Sequence, residues 1–163
     1  MHRNVSGYFA RILLILSVLV VNPAAADPPK PLSPLPGDKC QVCGMFVAKY
    51  PDWTAQIRFK GQKTVFFDGA KDLFKYYFSI QKYHPQKSVA DIGAFYVTDY
   101  YDISFIDAAT AFFVVGSDVY GPMGRELIPL SGASDAEAFL KDHHGKKILG
   151  FDAVTPALLR SLE

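Results

Sequence analysis

Apolar residues follow a helical spacing in a few stretches of the chain and a strand-like pattern in several shorter ones. Within residues 70–82, apolar positions such as Leu73 and Tyr77 are four residues apart, a spacing that gives a helix one buried face. The run Val65-Phe66-Phe67 is short and apolar, with turn residues before it at 60–62 and after it at 68–69, which indicates a buried strand. The chain is therefore predicted to combine short strands with amphipathic helices.

The predicted elements follow the order strand, strand, helix, strand in two successive passes. The first pass comprises strands 54–59 and 64–67, helix 70–82 and strand 94–98. The second comprises strands 111–115 and 126–130, helix 135–143 with Ser134 as its cap, and strand 147–151. A further strand at 103–108 separates the passes, and a last helix at 155–162 begins at Pro156. This order predicts an α+β fold made of two pseudo-repeated ββαβ units.

The first 26 residues have the features of a cleaved secretory signal peptide. Arg3 and Arg11 precede a ten-residue apolar run at 12–21, and Ala24 and Ala26 provide the small residues that a signal peptidase requires. That run is about half the length of a membrane-spanning helix, so an uncleaved N-terminal anchor is the less favoured alternative. We expect cleavage after residue 26 and export to the periplasm.

Residues 27–37 are rich in proline, which disfavours both helix and sheet. This composition predicts an extended tether, followed by one domain at 38–163. Residues 1–26 contain two arginines and no acidic residue, so the mature chain has 15 basic and 16 acidic residues and a formal charge of −1. Such a balance gives no electrostatic reason to expect a nucleic-acid partner. No catalytic triad or phosphate-binding glycine loop is found, so neither an enzyme nor a small-molecule substrate is expected.

Sulfur-containing residues are concentrated in two short motifs. Cys40, Cys43 and Met45 fall within six residues, and Met123 lies in a turn bounded by glycine and proline at 120–124. The two thiols of a Cys-x-x-Cys turn can converge on one ion, and thioethers add neutral, soft ligands. This ligand set favours Cu(I) over harder divalent ions. The histidine pair His143-His144 lies near a predicted helix end, from which one ring could reach the metal.

Three other interpretations of the cysteine pair stay open at this point. A structural zinc site would need further ligands at suitable spacing. A thioredoxin-like pair, the main alternative, would use Cys40 and Cys43 for thiol-disulfide exchange, but it would sit at a helix start, whereas residues 45–48 look extended. A simple structural disulfide would close too small a loop to remove much chain entropy. Asp68-Gly69 is interpreted as a strand end and helix cap that could also orient the site.

These motifs together resemble the NosL family, exported copper chaperones known as nitrous oxide reductase accessory proteins. The resemblance spans residues 40–130 and is carried by the segments CQVCGM at 40–45, FFDG at 66–69, YVTD at 96–99, FIDA at 105–108, AFFV at 111–114 and GPMGREL at 121–127. It implies a fold similar to that of organomercurial lyase, a pair of ββαβ units.

The resemblance also implies a function and a set of ligands. Cys43 and Met45 would bind Cu(I), with Met123 as a further ligand and Cys40 as an additional thiol. The copper would be handed to nitrous oxide reductase for its copper-sulfur centre, with a membrane-bound assembly complex as a second partner. Many members are lipoproteins with an acylated cysteine ahead of the domain. This chain has no cysteine before Cys40, so we expect a soluble periplasmic protein, with membrane association as the alternative.

Overall fold

Two antiparallel sheets form the framework of the computed structural model, which describes residues 27–61 and 63–163. The first sheet has the order β2-β1-β3-β4, where β1 is Ala55–Phe59, β2 is Thr64–Phe67, β3 is Ile92–Thr98 and β4 is Phe105–Asp107. The second has the order β6-β5-β7, where β5 is Phe112–Gly121, β6 is Gly124–Leu130 and β7 is Lys147–Leu149. The predicted signal peptide lies outside the described residues. Within these residues, no helix combines the length and apolar character needed to span a bilayer.

Helices connect the second and third strands of each unit. In the first unit these are α1, Ala70–Phe78, and α2, Ile80–Tyr83. In the second unit it is α3, Ala133–Asp142. A last helix, α4, Pro156–Ser161, follows β7. In both units the first strand is central and pairs with the second on one side and the third on the other. The predicted α+β class is confirmed, and both units have the predicted ββαβ order.

Several predicted boundaries were wrong. The single helix predicted at 70–82 is interrupted at Ser79, whose non-helical backbone separates α1 from α2. The helix predicted to be capped by Ser134 begins earlier and has Gly132 as its N-cap. Residues 45–48 are not a continuous extended segment, because a 3₁₀ turn begins at Val47. Short elements of this kind depend on tertiary contacts more than on local pattern.

The strand predicted at 111–115 is twice as long in the structure, and this matters for the site. β5 continues to Gly121 and pairs with β6 as far as Gly124, with an irregularity between Val115 and Tyr120. The outer half of this hairpin has no apolar alternation, so sequence pattern did not reveal it. The hairpin carries Met123 in its turn.

A shared core joins the two units. Phe74 of α1 lies against Phe113 of β5 and Phe151, at ring-centroid distances of 5.3 and 4.9 Å. Because Phe74 is fully buried, replacing it with alanine is expected to cost about 3–5 kcal/mol. A second cluster around Phe139 fills the space between α3 and the other face of the second sheet. α1 therefore packs between the units, and its first turn faces the second unit.

The proline-rich segment contains no helix or strand, as predicted, but it is attached to the domain. The backbone of Leu32 donates to Gln56 Oε1 (2.9 Å) and accepts from Gln56 Nε2 (2.8 Å). Tyr96 donates its hydroxyl to the Pro29 carbonyl at 3.1 Å. The two Leu32 hydrogen bonds give the buried side-chain amide of Gln56 its partners on the face of β1 away from the core.

Candidate metal centre

Residues 40–45 form a closed loop that brings the two cysteine side chains together. Lys39 and Phe46 pair across its base, and the Cys40 N–H donates to the Met45 carbonyl at 2.8 Å. The Gly44 N–H donates back to the Cys40 carbonyl at 2.9 Å, and Gly44 has φ = +82°. A side chain at Gly44 would be strained in this conformation. The loop therefore has the convergent form that the Cys-x-x-Cys-Gly sequence predicted.

Each thiol donates a hydrogen bond to a buried carboxylate at the start of α1. Cys40 Sγ lies 3.2 Å from Asp72 Oδ2, and Cys43 Sγ lies 3.3 Å from Asp68 Oδ1. Asp68 directly follows β2 and precedes the N-cap, whereas Asp72 lies in the first turn of α1, and the chain reversal between them places both carboxylates at the same cluster. Gly69 is the N-cap of α1, and no side chain caps this helix. Asp68 therefore holds a thiol and does not cap the helix.

These four residues form a compact group of possible metal ligands. One ligand atom from each of Cys40, Cys43, Asp68 and Asp72 lies within 4.8 Å of the others. Asp68 is almost fully buried, and its Oδ2 has no hydrogen-bond partner among the described residues. An unpartnered buried carboxylate oxygen is costly. A cation bound between the sulfurs and carboxylates would offset this cost, so the donor set fits a metal ion.

Both thiols are held in the protonated form when no metal is bound. Burial, and to a smaller extent the charge of Asp72, raise the pKa of Cys40 far above its ordinary value. Burial, together with the hydrogen bond and charge of Asp68, raises the pKa of Cys43 to about 11. Both cysteines are free, and Cys40 is only 2% exposed whereas Cys43 is partly exposed. Cys43 is thus the thiol that an incoming ion or reagent meets first.

The two methionines are placed differently from the cysteines. Met45 follows Gly44 in the loop and is partly buried. Met123 is 43% exposed in the β5–β6 turn, and its carbonyl accepts a hydrogen bond from Lys71 Nζ at 2.8 Å. Since Lys71 is in the first turn of α1, the Met123 backbone is attached to the helix turn that carries Asp72. Ligation by the two thioethers stays a prediction.

Of the histidine pair, His143 is engaged elsewhere and His144 is exposed. His143 lies 3.2 Å from Asp118 Oδ1 and stacks on Phe139 with ring centroids 4.3 Å apart. It does not belong to the cysteine and aspartate group. Sequence reasoning missed Asp72, although the spacing of Asp68 and Asp72 at i and i+4 was a usable signal.

Comparison with known proteins shows which family the chain belongs to. The family model described as NosL matches residues 31–159. The chain belongs to the NosL family. The copper-binding lipoprotein NosL of Stutzerimonas stutzeri is 29% identical to it over 126 residues, which are 76% of this chain and 65% of that protein. The chain thus spans slightly less than two thirds of this NosL relative.

A solved NosL structure is similar over most of the chain. The crystal structure of the copper chaperone NosL from Shewanella denitrificans has 31% sequence identity and a TM-score of 0.67. The match covers 80% of this chain and 99% of the other. The family membership that the motifs indicated is confirmed, together with a fold in common with NosL.

Proposed function

We propose that this protein is an exported copper chaperone that binds one Cu(I) ion and releases it to a target protein. The observation that carries the proposal is the convergence of two free thiols on a pair of buried carboxylates, in a domain of the NosL family. Its relatives are named a copper-binding lipoprotein and a copper chaperone. Soft sulfur ligands favour the monovalent ion over Cu(II).

The ligands in this proposal are the thiolates of Cys40 and Cys43 and the thioethers of Met45 and Met123. Each sulfur–copper bond at a cysteine forms as an S–H bond breaks, and the proton passes to the adjacent carboxylate or to water. Asp68 and Asp72 are in hydrogen-bond contact with the thiols and can accept these protons. On release the protons return to sulfur. Protons compete with copper for each cysteine sulfur, and a raised thiol pKa strengthens that competition, which favours release of copper to an acceptor whose thiolates are already deprotonated.

The alternative, a thiol-disulfide oxidoreductase, needs a thiolate that is stable near neutral pH. Here burial and a neighbouring carboxylate raise the pKa of Cys43. The pair also lies in a closed loop before a 3₁₀ turn and is not itself the start of a helix, and the start of α1 presents the carboxylates of Asp68 and Asp72 to the thiols, which disfavours a thiolate. Both features favour metal transfer over redox exchange.

The delivery target in this proposal is nitrous oxide reductase, with a membrane-bound assembly complex as the second partner. We further propose that the chain works in the periplasm after cleavage at residue 26. These steps rest on the resemblance of the motifs to the family.

The metal-binding step is tested by Cu(I) titration of the reduced protein against a competing chelator such as bathocuproine disulfonate. One equivalent is expected to bind, and Cys43→Ser is expected to weaken binding by at least about 100-fold. His143→Gln is the matched control, since His143 packs on Phe139 away from the cysteines, and it should leave affinity unchanged. X-ray absorption should count sulfur neighbours around copper. Weak Cu(I) binding whose affinity is the same in Cys43→Ser as in the unmodified protein would contradict the proposal.

The delivery step needs its own experiment. Copper-loaded protein is mixed with copper-free nitrous oxide reductase in membranes that contain the assembly complex, and the absorption spectrum of the copper-sulfur centre is followed. Formation of the centre is expected only with loaded protein that retains Cys43. Equal formation from free Cu(I) at the same concentration would leave binding intact and remove delivery from the proposed function.

A further inference from the structure

A lysine is almost completely buried beside the metal centre and bonded to backbone carbonyls. Lys71 lies in the first turn of α1 and is 2% exposed. Its Nζ donates to the carbonyls of Met123 at 2.8 Å, Arg125 at 2.7 Å and, more weakly, Leu162 at 3.5 Å. Two of these acceptors belong to the turn and outgoing strand of the β5–β6 hairpin. The side chain therefore ties that hairpin to the helix start.

A buried glutamate completes the connection in the opposite direction. Glu126 of β6 accepts the backbone N–H of Lys71 at 2.5 Å and that of Leu127 at 2.9 Å, both at Oε1. Gly69 makes room for it, since a Cβ there would lie 2.3 Å from Glu126 Oε2. A Cβ at Gly121 would lie 3.2 Å from Glu126 Cγ and 3.3 Å from Trp53 Cε3, closer than ordinary van der Waals contact. Helix and hairpin are thus joined by hydrogen bonds from each side.

This arrangement is expensive if its only purpose is stability. Burying an ammonium group costs free energy that hydrogen bonds offset only when all of its donors are satisfied. An apolar side chain of similar length would fill the same space without that cost. The lysine fixes the position of the hairpin turn relative to α1, because its ammonium group donates to backbone carbonyls of the hairpin at defined distances.

The two things that Lys71 connects are both parts of the candidate site. On one side is the α1 turn whose Asp68 and Asp72 hold the thiols of Cys43 and Cys40. On the other is the turn that carries Met123, whose residue is 43% exposed, so that burial holds its side chain only in part. We infer that Lys71, supported by Glu126, is a positioning residue that holds the Met123 thioether in reach of the thiol pair for Cu(I) binding. This inference rests on the proposed function, in which Met123 is a ligand.

The test is a double-mutant cycle with a ligand count as the second readout. Lys71→Leu, Met123→Ala and the double variant are titrated with Cu(I) against a chelator, and the sulfur neighbours of copper are counted by X-ray absorption. Lys141→Leu, at an exposed position of α3, controls for the loss of one positive charge. Near-ultraviolet circular dichroism checks folding. Should Lys71→Leu not fold, Lys71→Gln, which keeps one donor for the hairpin carbonyls, takes its place.

Each single variant is expected to lower Cu(I) affinity about 10-fold to 100-fold, and the double variant no further. Lys71→Leu should lose one sulfur neighbour although all four sulfur ligands are still present in the chain. A folded Lys71 variant with full affinity and an unchanged sulfur count would overturn the inference, as would additive losses in the double variant. If Met123→Ala has no effect, positioning of Met123 is overturned while copper binding stands. If the unmodified protein binds no Cu(I), the proposed function itself fails.

Discussion

The two strand–glycine–helix junctions of the domain share one backbone plan and differ in chemistry. Gly69 before α1 and Gly132 before α3 are both N-caps with extended backbone and no side-chain cap. Three residues later each helix has an aspartate, Asp72 in the first unit and Asp135 in the second. Asp72 is buried and holds a thiol, whereas Asp135 is exposed to solvent.

The difference comes from what faces each junction. The closed loop at 40–45 precedes the first unit and has no counterpart before the second. At the second junction, the Ser131 N–H donates instead to Asp99 Oδ2 at 2.6 Å, which ties the turn to the first unit. A repeated fold therefore supplies the same scaffold twice, and a segment outside the repeat adds the two cysteines of the candidate metal centre to one copy.

The largest expected contrast between the junctions is in the pH dependence of stability. Burial raises the pKa of Glu126, which lies beside Gly69, from 4.5 to about 8. The folded state therefore holds the proton more tightly than the unfolded state. This contribution is fully present below pH 4.5 and is lost as the pH rises to 8, by up to about 5 kcal/mol.

Glu126→Gln, which mimics the protonated acid, should flatten that slope and stabilise the protein at pH 8. Asp135→Asn, at the second junction, should leave the slope as it is. The free energy of unfolding is measured by urea denaturation at a series of pH values between 4.5 and 8.5. A steep slope that persists in Glu126→Gln would contradict the assignment.

The next contrast is between the two glycines themselves. A Cβ at position 69 would meet Glu126 Oε2 at 2.3 Å and its Cδ at 3.0 Å, and this side chain is buried and hydrogen-bonded. A Cβ at position 132 would meet the exposed side chains of Asp135, at 3.1 Å, and Ser134, at 3.7 Å. Gly69→Ala is expected to destabilise the domain by about 1–3 kcal/mol. Gly132→Ala should change stability by less than about 0.5 kcal/mol.

Denaturation midpoints of the two alanine variants give this comparison directly. Since φ at both positions is negative, backbone strain does not enter. Equal losses of stability in Gly69→Ala and Gly132→Ala would mean that the Glu126 side chain moves aside. The two junctions would then tolerate an added methyl group equally well.

A smaller contrast separates the two aspartates in copper binding. Asp72→Asn removes the charged acceptor of the Cys40 thiol proton and is expected to weaken Cu(I) binding by about tenfold, the lower end of the effect of residues that support metal ligands. Asp135→Asn should have no effect on affinity. Chelator competition at one pH and salt concentration compares the two variants.

The smallest expected effect concerns the reactivity of Cys43. Burial is the main cause of its raised pKa, with the hydrogen bond and charge of Asp68 adding to it. In Asp68→Asn only the smaller contributions are removed, so the pKa should fall below 11 but stay above its ordinary value. Alkylation at pH 8 should become about 3-fold to 10-fold faster because more thiolate is present. Mass spectrometry of iodoacetamide-treated protein measures the rate, and a slower reaction would show that the assigned direction is wrong.

The sequence predicted the existence of most elements but not their ends. Helix α1 and strand β2 were predicted because apolar residues recur at periods of helix and strand over enough residues to be distinguished. The outer half of β5 was missed because its residues beyond Val115 follow no apolar alternation, and there the pairing with β6 decides the structure. The break at Ser79 was missed for a similar reason, since nothing in its identity excludes a helix.

The pattern and spacing of residues by themselves predicted the α+β class, the ββαβ order and the convergence of Cys40 with Cys43, and the resemblance of the motifs to NosL indicated the family. Those properties are local, because a six-residue loop with glycine at a positive φ needs no distant contact to bring two thiols together. Only the tertiary structure decided that Asp72 meets Cys40 and that Lys71 holds the hairpin of Met123. These pairs are 32 and 52 residues apart in the chain. Their meeting depends on how the two units pack around α1, and no short-range pattern in the sequence encodes that packing.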